Sequence, residues 1–204
     1  MSSARNTIEA DLAQGIVPPD SRNQLERGLE LQRAAGHGAD QVDTLVVIAR
    51  LYRASGDLDS ALATAGKAID AACETSSSML KAYALLELGA LQLDADGSSE
   101  ALVSFQRSAA AHRESGARGR EAEAFDGMGR ALTGLGRSEE AIAFHRRAAA
   151  VFADLGFVWW QAVSLANLAL ALEDDGRAAE AVDRRREAGT HERTHGSGST
   201  RVTH

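Results

Sequence analysis

Four alanines, Ala61, Ala101, Ala141 and Ala181, stand 40 residues apart, and the sequence around each repeats without a gap. A fixed internal period of this length is the signature of a modular array, in which each unit is too small to bury its own apolar face and does so against its neighbours. The columns are consistent. Leu45, Leu85, Phe125 and Leu165 form one; Ile48, Leu88, Met128 and Leu168 the next; Ala49, Gly89, Gly129 and Ala169 hold only small residues. Tyr52, Gln92, Leu132 and Leu172 follow, and Gly56, Asp96, Gly136 and Gly176 fill a turn column. Spacings of i, i+3 and i+7 predict two amphipathic helices per unit. The glycine ends the first helix, and Asp59, Ser99, Ser138 or nearby polar residues are expected to cap the second. The small column is expected where the two helices of a hairpin cross closely.

These columns resemble the tetratricopeptide repeat family over roughly residues 40 to 190. The apolar, apolar, small and apolar positions and the later alanine match, and Ala68, Ser108, Ala148 and Ala188 fill a further small column. The period is longer than the family's usual one and the proline closing a unit is missing. Both departures are similar to the longer-helix repeats of kinesin light chains and of actinobacterial regulators, as is the Leu165-Ala-Asn-Leu-Ala169 wording. The resemblance implies an all-α right-handed superhelix, an α-solenoid of tandem helix-turn-helix repeats with about ten helices. The expected organisation is a degenerate helical hairpin over 1–38, four 40-residue repeats over 39–189, and a disordered polar tail over 190–204. Within the hairpin, residues 3–14 place Ile8 and Leu12 in the Ile48 and Tyr52 columns.

Composition agrees with a helical, water-soluble chain. Apolar residues make up 44%, aromatics 4%, and only two prolines occur, a helix-forming mixture. The single cysteine, Cys73, excludes an internal disulfide. No run of 18 apolar residues is present, so no membrane span is expected, and the N-terminus lacks the apolar core of a secretory signal. The expected location is therefore the cytoplasm. A net charge of −7 disfavours nucleic acid as a partner.

The resemblance further implies a groove lined by the first helices. Residues of those helices outside the apolar columns are the candidate ligand contacts: Asp43, Arg50, Arg53, Tyr83, Glu123, Asp126, Arg130, Asn167 and Glu173, with Val46, Leu86 and Glu87 in the same set. In similar repeats an Asn at the Asn167 position holds the backbone of an extended peptide. Phe157, Trp159 and Trp160 form a second candidate surface, because adjacent helical residues diverge by about 100° and both tryptophans cannot face the core. Trp160 is expected buried and Trp159 exposed.

Three other features receive bland readings. His191-Glu-Arg-Thr-His195 spells a zinc-protease motif, but Arg201 falls where a third ligand belongs and cannot ligate. His145, Arg146, Arg147 and Arg184 to Arg186 read as a solvated outer face. Cys73 reads as a small buried residue. No phosphate-binding loop and no persuasive nucleophile arrangement is found, so no cofactor, metal or catalytic residue is assigned. The leading expectation is a non-catalytic scaffold that binds a protein or peptide segment, in bacterial regulation or assembly. Two alternatives stay open. One is a small-molecule binder or enzyme using the groove as a cup, with Asp126 and Glu123 as acid–base groups. The other is a homodimer joined through the tryptophans.

Overall fold

The computed structural model describes the backbone of residues 2–18 and 20–196 and the side chains of 5–18 and 20–190. Among them ten helices and no strand occur. They are α1 Ser2–Ala13, α2 Ser21–Ala34, α3 Gly38–Ala54, α4 Leu58–Glu74 and α5 Ser78–Asp94. Then come α6 Ser98–Glu114, α7 Arg118–Gly134, α8 Ser138–Asp154, α9 Val158–Asp174 and α10 Ala178–Gly196. From α3 to α9 every helix has 17 residues.

This regularity has a local cause. Residues 36, 56, 76, 96, 116, 136, 156 and 176 all have positive φ. Six of them are glycine, which enters this region at no steric cost. Ser76 and Asp96 adopt it with φ of 55° and 57°. The residue after each of the glycines donates its N–H five residues back, as Asp57 does to the Tyr52 carbonyl at 2.9 Å and Arg177 to Leu172 at 2.8 Å. That is the helix-ending bond of the Schellman motif. The turn column visible at a period of 40 is thus one half of a signal that recurs every 20 residues.

The caps follow the expectation at α4, through a neighbouring acid, and depart from it at α8. Asp57, not Asp59, accepts the N–H of Ser60 at 3.1 Å at the start of α4. α8 starts after Arg137 with no side-chain cap, so Ser138 does not supply one. Ser77 caps α5 through the N–H of Leu80.

The chain forms two compact units, 1–97 and 98–204. In the first, α3 packs on α4, α4 on α5, and both α1 and α2 pack on α3. Its main cluster joins Ile8, Leu25, Leu29, Val42, Leu45, Val46 and Ile48. Val46, placed in the groove from sequence, is completely buried there: α1 and α5 flank α3 and close over that column. In the second unit α6 through α10 pack in succession. Leu132, Ile142, Leu165, Leu168 and Leu172 form its main cluster with Ala141, Ala169 and Ala181. The four period-marking alanines are all fully buried. α10 runs to Gly196, six residues beyond residue 190, where the tail was expected to start; residues 197–204 lie outside the described set. No helix among the described residues is long and apolar enough to cross a membrane.

Cys73 is exposed rather than buried. Its column also holds Arg33, Arg113 and Ala153, which marks a solvent-facing edge of the second helices.

Candidate functional site

In the first unit the candidate residues of α3 face neighbours of opposite charge. Arg5 of α1 reaches Asp43 at 3.2 Å. Burial raises the pKa of Asp43; Arg5 opposes this and Asp40 adds to it. Arg50 donates to Glu87 of α5 at 2.7 Å, approaches Glu9 of α1 at 3.6 Å, and lies 5.8 Å from the centre of the Tyr83 ring. Burial works against the Arg50 charge, but Glu87, Tyr83 and Glu9 together outweigh it and raise its pKa. Arg53 is held by both carboxylate oxygens of Asp94. A recess of about 620 Å³ opens between these groups, walled by Glu9, Leu12, Arg50, Arg53, Leu58 and Asp94. Each arginine in it already has a carboxylate from the chain itself.

The second unit is arranged differently. Asp126 of α7 uses both oxygens: Oδ1 lies 2.8 Å from His145 Nδ1 of α8, and Oδ2 accepts from Asn167 Nδ2 of α9 at 2.9 Å. A carboxylate only accepts, so the Nδ1 position of His145 carries the proton and the Asn167 amide presents its NH2 to Asp126. The Asn167 carbonyl is thereby turned away from Asp126. Among the described residues it has no hydrogen-bond partner. His145 is only 1% exposed, and the ring rests on Gly129, where a Cβ would stand 2.6 Å from Cε1 and Nε2. The small column at 129 therefore makes room for a side chain on the facing helix rather than for a close backbone crossing. Gly127 does the same for Phe105.

Beside this network Arg130 is exposed and, among the described residues, has no hydrogen bond or ion pair. Leu170, in the same column on α9, is also exposed. Glu123 accepts from Arg120 at 2.8 Å. Glu173 is paired with Arg185 of α10, which draws it toward the last helix. Asp126, Arg130 and Asn167 are thus the sequence-selected residues that the second unit brings together. His145, read from sequence with the outer-face arginines, is buried instead; a large residue at 145 opposite a glycine at 129 carried the signal.

The outer-face arginines are engaged by acids. Arg146 pairs with Glu180 at 3.2 Å, Arg184 with Glu187 at 2.5 Å and Arg186 with Asp183 at 3.6 Å. Arg147 lies 4.0 Å over the Phe125 ring. A recess of about 430 Å³ between α8 and α10, bounded by Arg146, Ala149, Leu165 and Arg184, contains none of the selected residues. The side chains of the 191–195 motif lie outside the described residues.

The aromatic surface departs from expectation in one respect. Trp159 is 60% exposed, but Trp160 is also 40% exposed and Phe157 47%. Trp160 covers the buried Phe152 with one face, at 5.8 Å between ring centres, and meets Trp159 edge-on at 4.7 Å. It shields Phe152 without itself entering the core.

No family model matches the chain, and no curated protein does. Solved structures match in shape. The nearly identical TPR-like repeats of a Podosopora anserina kinesin-light-chain-type protein superpose with a TM-score of 0.71 at 17% identity, covering 94% of each chain. BtubC (BKLC) from P. vanneervenii gives 0.70 at 14% identity, over 100% of this chain and 90% of its own. A Rap protein complexed with Competence and Sporulation Factor gives 0.71 at 17% identity, over 84% of this chain and 49% of that one. At these identities the likeness establishes a common fold.

Proposed function

Starting from a chain with the tetratricopeptide-like repeat fold, we propose that it is a non-catalytic binding module, which holds an extended segment of a partner protein on the α7–α9 face of its second unit. The observation that carries this reading is the Asn167 amide. It is fixed by Asp126, which His145 fixes in turn, and its carbonyl is left to accept an N–H from elsewhere. A held amide with a free acceptor suits a peptide backbone, which offers an N–H at every residue. The same geometry speaks against the acid–base alternative. Both oxygens of Asp126 are engaged, and the ring of His145 is sealed from solvent. The Rap structure, solved with a bound factor, supports a binding role by analogy of fold. A role in bacterial regulation or assembly, in the cytoplasm, is part of the same proposal.

The test begins with affinity capture of the partner from the native host. Its affinity is then measured against an Asn167→Ala, Arg130→Ala double variant. A marked loss is expected; unchanged affinity rules out this face.

A second reading is favoured by one observation. Phe157, Trp159 and Trp160 form a contiguous exposed aromatic surface, the residue type that anchors interfaces. In this reading two copies of the chain meet through it, and light scattering across concentration decides.

A further inference from the structure

Arg50 and Glu87 are 37 residues apart, on α3 and α5, and form a part-buried ion pair. Eighty residues on, two repeats later, the same two positions are Arg130 and Asn167, on α7 and α9. The helix pairs α3/α5 and α7/α9 are neighbours in the same way, yet the second pair has lost its acid. Glu87 is only 6% exposed and gives Arg50 its carboxylate; Asn167 gives Arg130 none, being turned to Asp126 instead. The arginine that is paired within the chain in one unit is exposed and, among the described residues, without a partner in the other.

We infer that a carboxylate of the bound partner takes on Arg130 the place that Glu87 takes on Arg50, so the second unit selects an extended segment carrying an acidic residue while the first is closed by its own glutamate. This rests on the α7–α9 reading above and adds to it the chemistry of the recognised residue. A guanidinium presents paired donors that match a carboxylate. The Asn167 carbonyl accepts the segment's N–H, and the exposed Leu170 offers apolar contact beside it. The residue in the 87/167 column decides which unit is open.

The test uses the full chain and two acetylated, amidated tripeptides, Ala-Glu-Ala and Ala-Gln-Ala, followed by side-chain NMR shifts of Arg130 and Asn167. The glutamate peptide is expected to move both signals and to bind roughly tenfold or more tightly than its glutamine twin, the weight of one charge-assisted hydrogen bond. Arg130→Gln, at an exposed position, is expected to abolish that preference. Asn167→Glu supplies the acid of the first unit and is expected to remove the response at Arg130. Asn167→Ala, which supplies none, is expected to keep the glutamate preference. Equal response to both peptides overturns the carboxylate assignment and leaves the binding face standing. Absence of any response in the wild-type chain overturns both. A glutamate preference that survives Arg130→Gln places the recognised charge elsewhere and also overturns the inference.

Discussion

The ring of His145 lies against the α-carbon of Gly129, close enough that a methyl group there would stand 2.6 Å from two ring atoms. Gly129→Ala must therefore push the imidazole off Asp126 or part α7 from α8. Overpacking of this kind costs about 1–3 kcal/mol, partly offset by the better helix propensity of alanine. We expect a net loss of about 1 kcal/mol or more in urea unfolding, with altered Asn167 side-chain signals. Gly66 in α4 is the control. A Cβ there meets nothing within 4 Å, and Gly66→Ala is expected to stabilise by about 0.5–1 kcal/mol. The opposite signs are the test.

His112 gives a pH dependence. It is 2% exposed and neither ring nitrogen has a hydrogen-bond partner among the described residues. Burial lowers its pKa, the nearby charge of Arg120 lowers it further, and Glu121 opposes both. The folded-state value thus lies below the unfolded one, near 6.5. Its contribution is complete above about pH 6.5 and is lost as the pH falls, because the unfolded chain takes the proton first. His112→Phe places a phenylalanine where Phe152 stands 40 residues later. It is expected to raise the melting temperature and to flatten the acid limb of stability between pH 8 and 5. An unchanged acid limb would assign the effect to other groups.

Two ion pairs of the first unit should differ in weight. Glu87 is buried, so Glu87→Gln, which weakens its hold on Arg50, is expected to cost about 1.5–3 kcal/mol. The more exposed Arg53–Asp94 pair should contribute less than about 1 kcal/mol when Asp94 is replaced by Ala. Chemical unfolding of both variants, with salt titration, checks the order.

At the aromatic surface, Trp159→Ser is expected to change stability by less than about 0.5 kcal/mol. Trp160→Ala should cost about 1 kcal/mol or more, because it uncovers Phe152. If the surface joins two copies, Trp159→Ser also shifts the mass toward monomer. A monomer for wild type and variant at all concentrations removes the dimer reading.

The fold was legible because its signals are local and repeated. Alanines at 61, 101, 141 and 181 admit only close packing, and glycines at 56, 136 and 176 end helices wherever they stand. Asp96 was legible in that turn column because aspartate tolerates the left-handed region, whereas Ser76, half a period away, was not, since serine shows no such preference. Of the candidate site, Asp126, Arg130 and Asn167 were legible as non-core positions of first helices. Val46 was misread because burial of its column depends on α1 covering α3, a tertiary fact. His145 was placed on the outer face with its arginine neighbours because its meaning lies in a pair, a ring on one helix and an empty side on the next. Cys73 was misjudged by its residue type, although its column of arginines pointed outward.

The 20-residue beat of left-handed turns also bears on how such an array can lengthen or shrink. First and second helices alternate at each beat and face different surroundings, so removing 20 residues would put every following helix in the wrong role. Removing or adding 40 restores both the turn and the role. A gene for this chain can therefore change its repeat number in whole hairpins with the phase of every later side chain preserved, and the face built on α7 and α9 can be carried along the array intact.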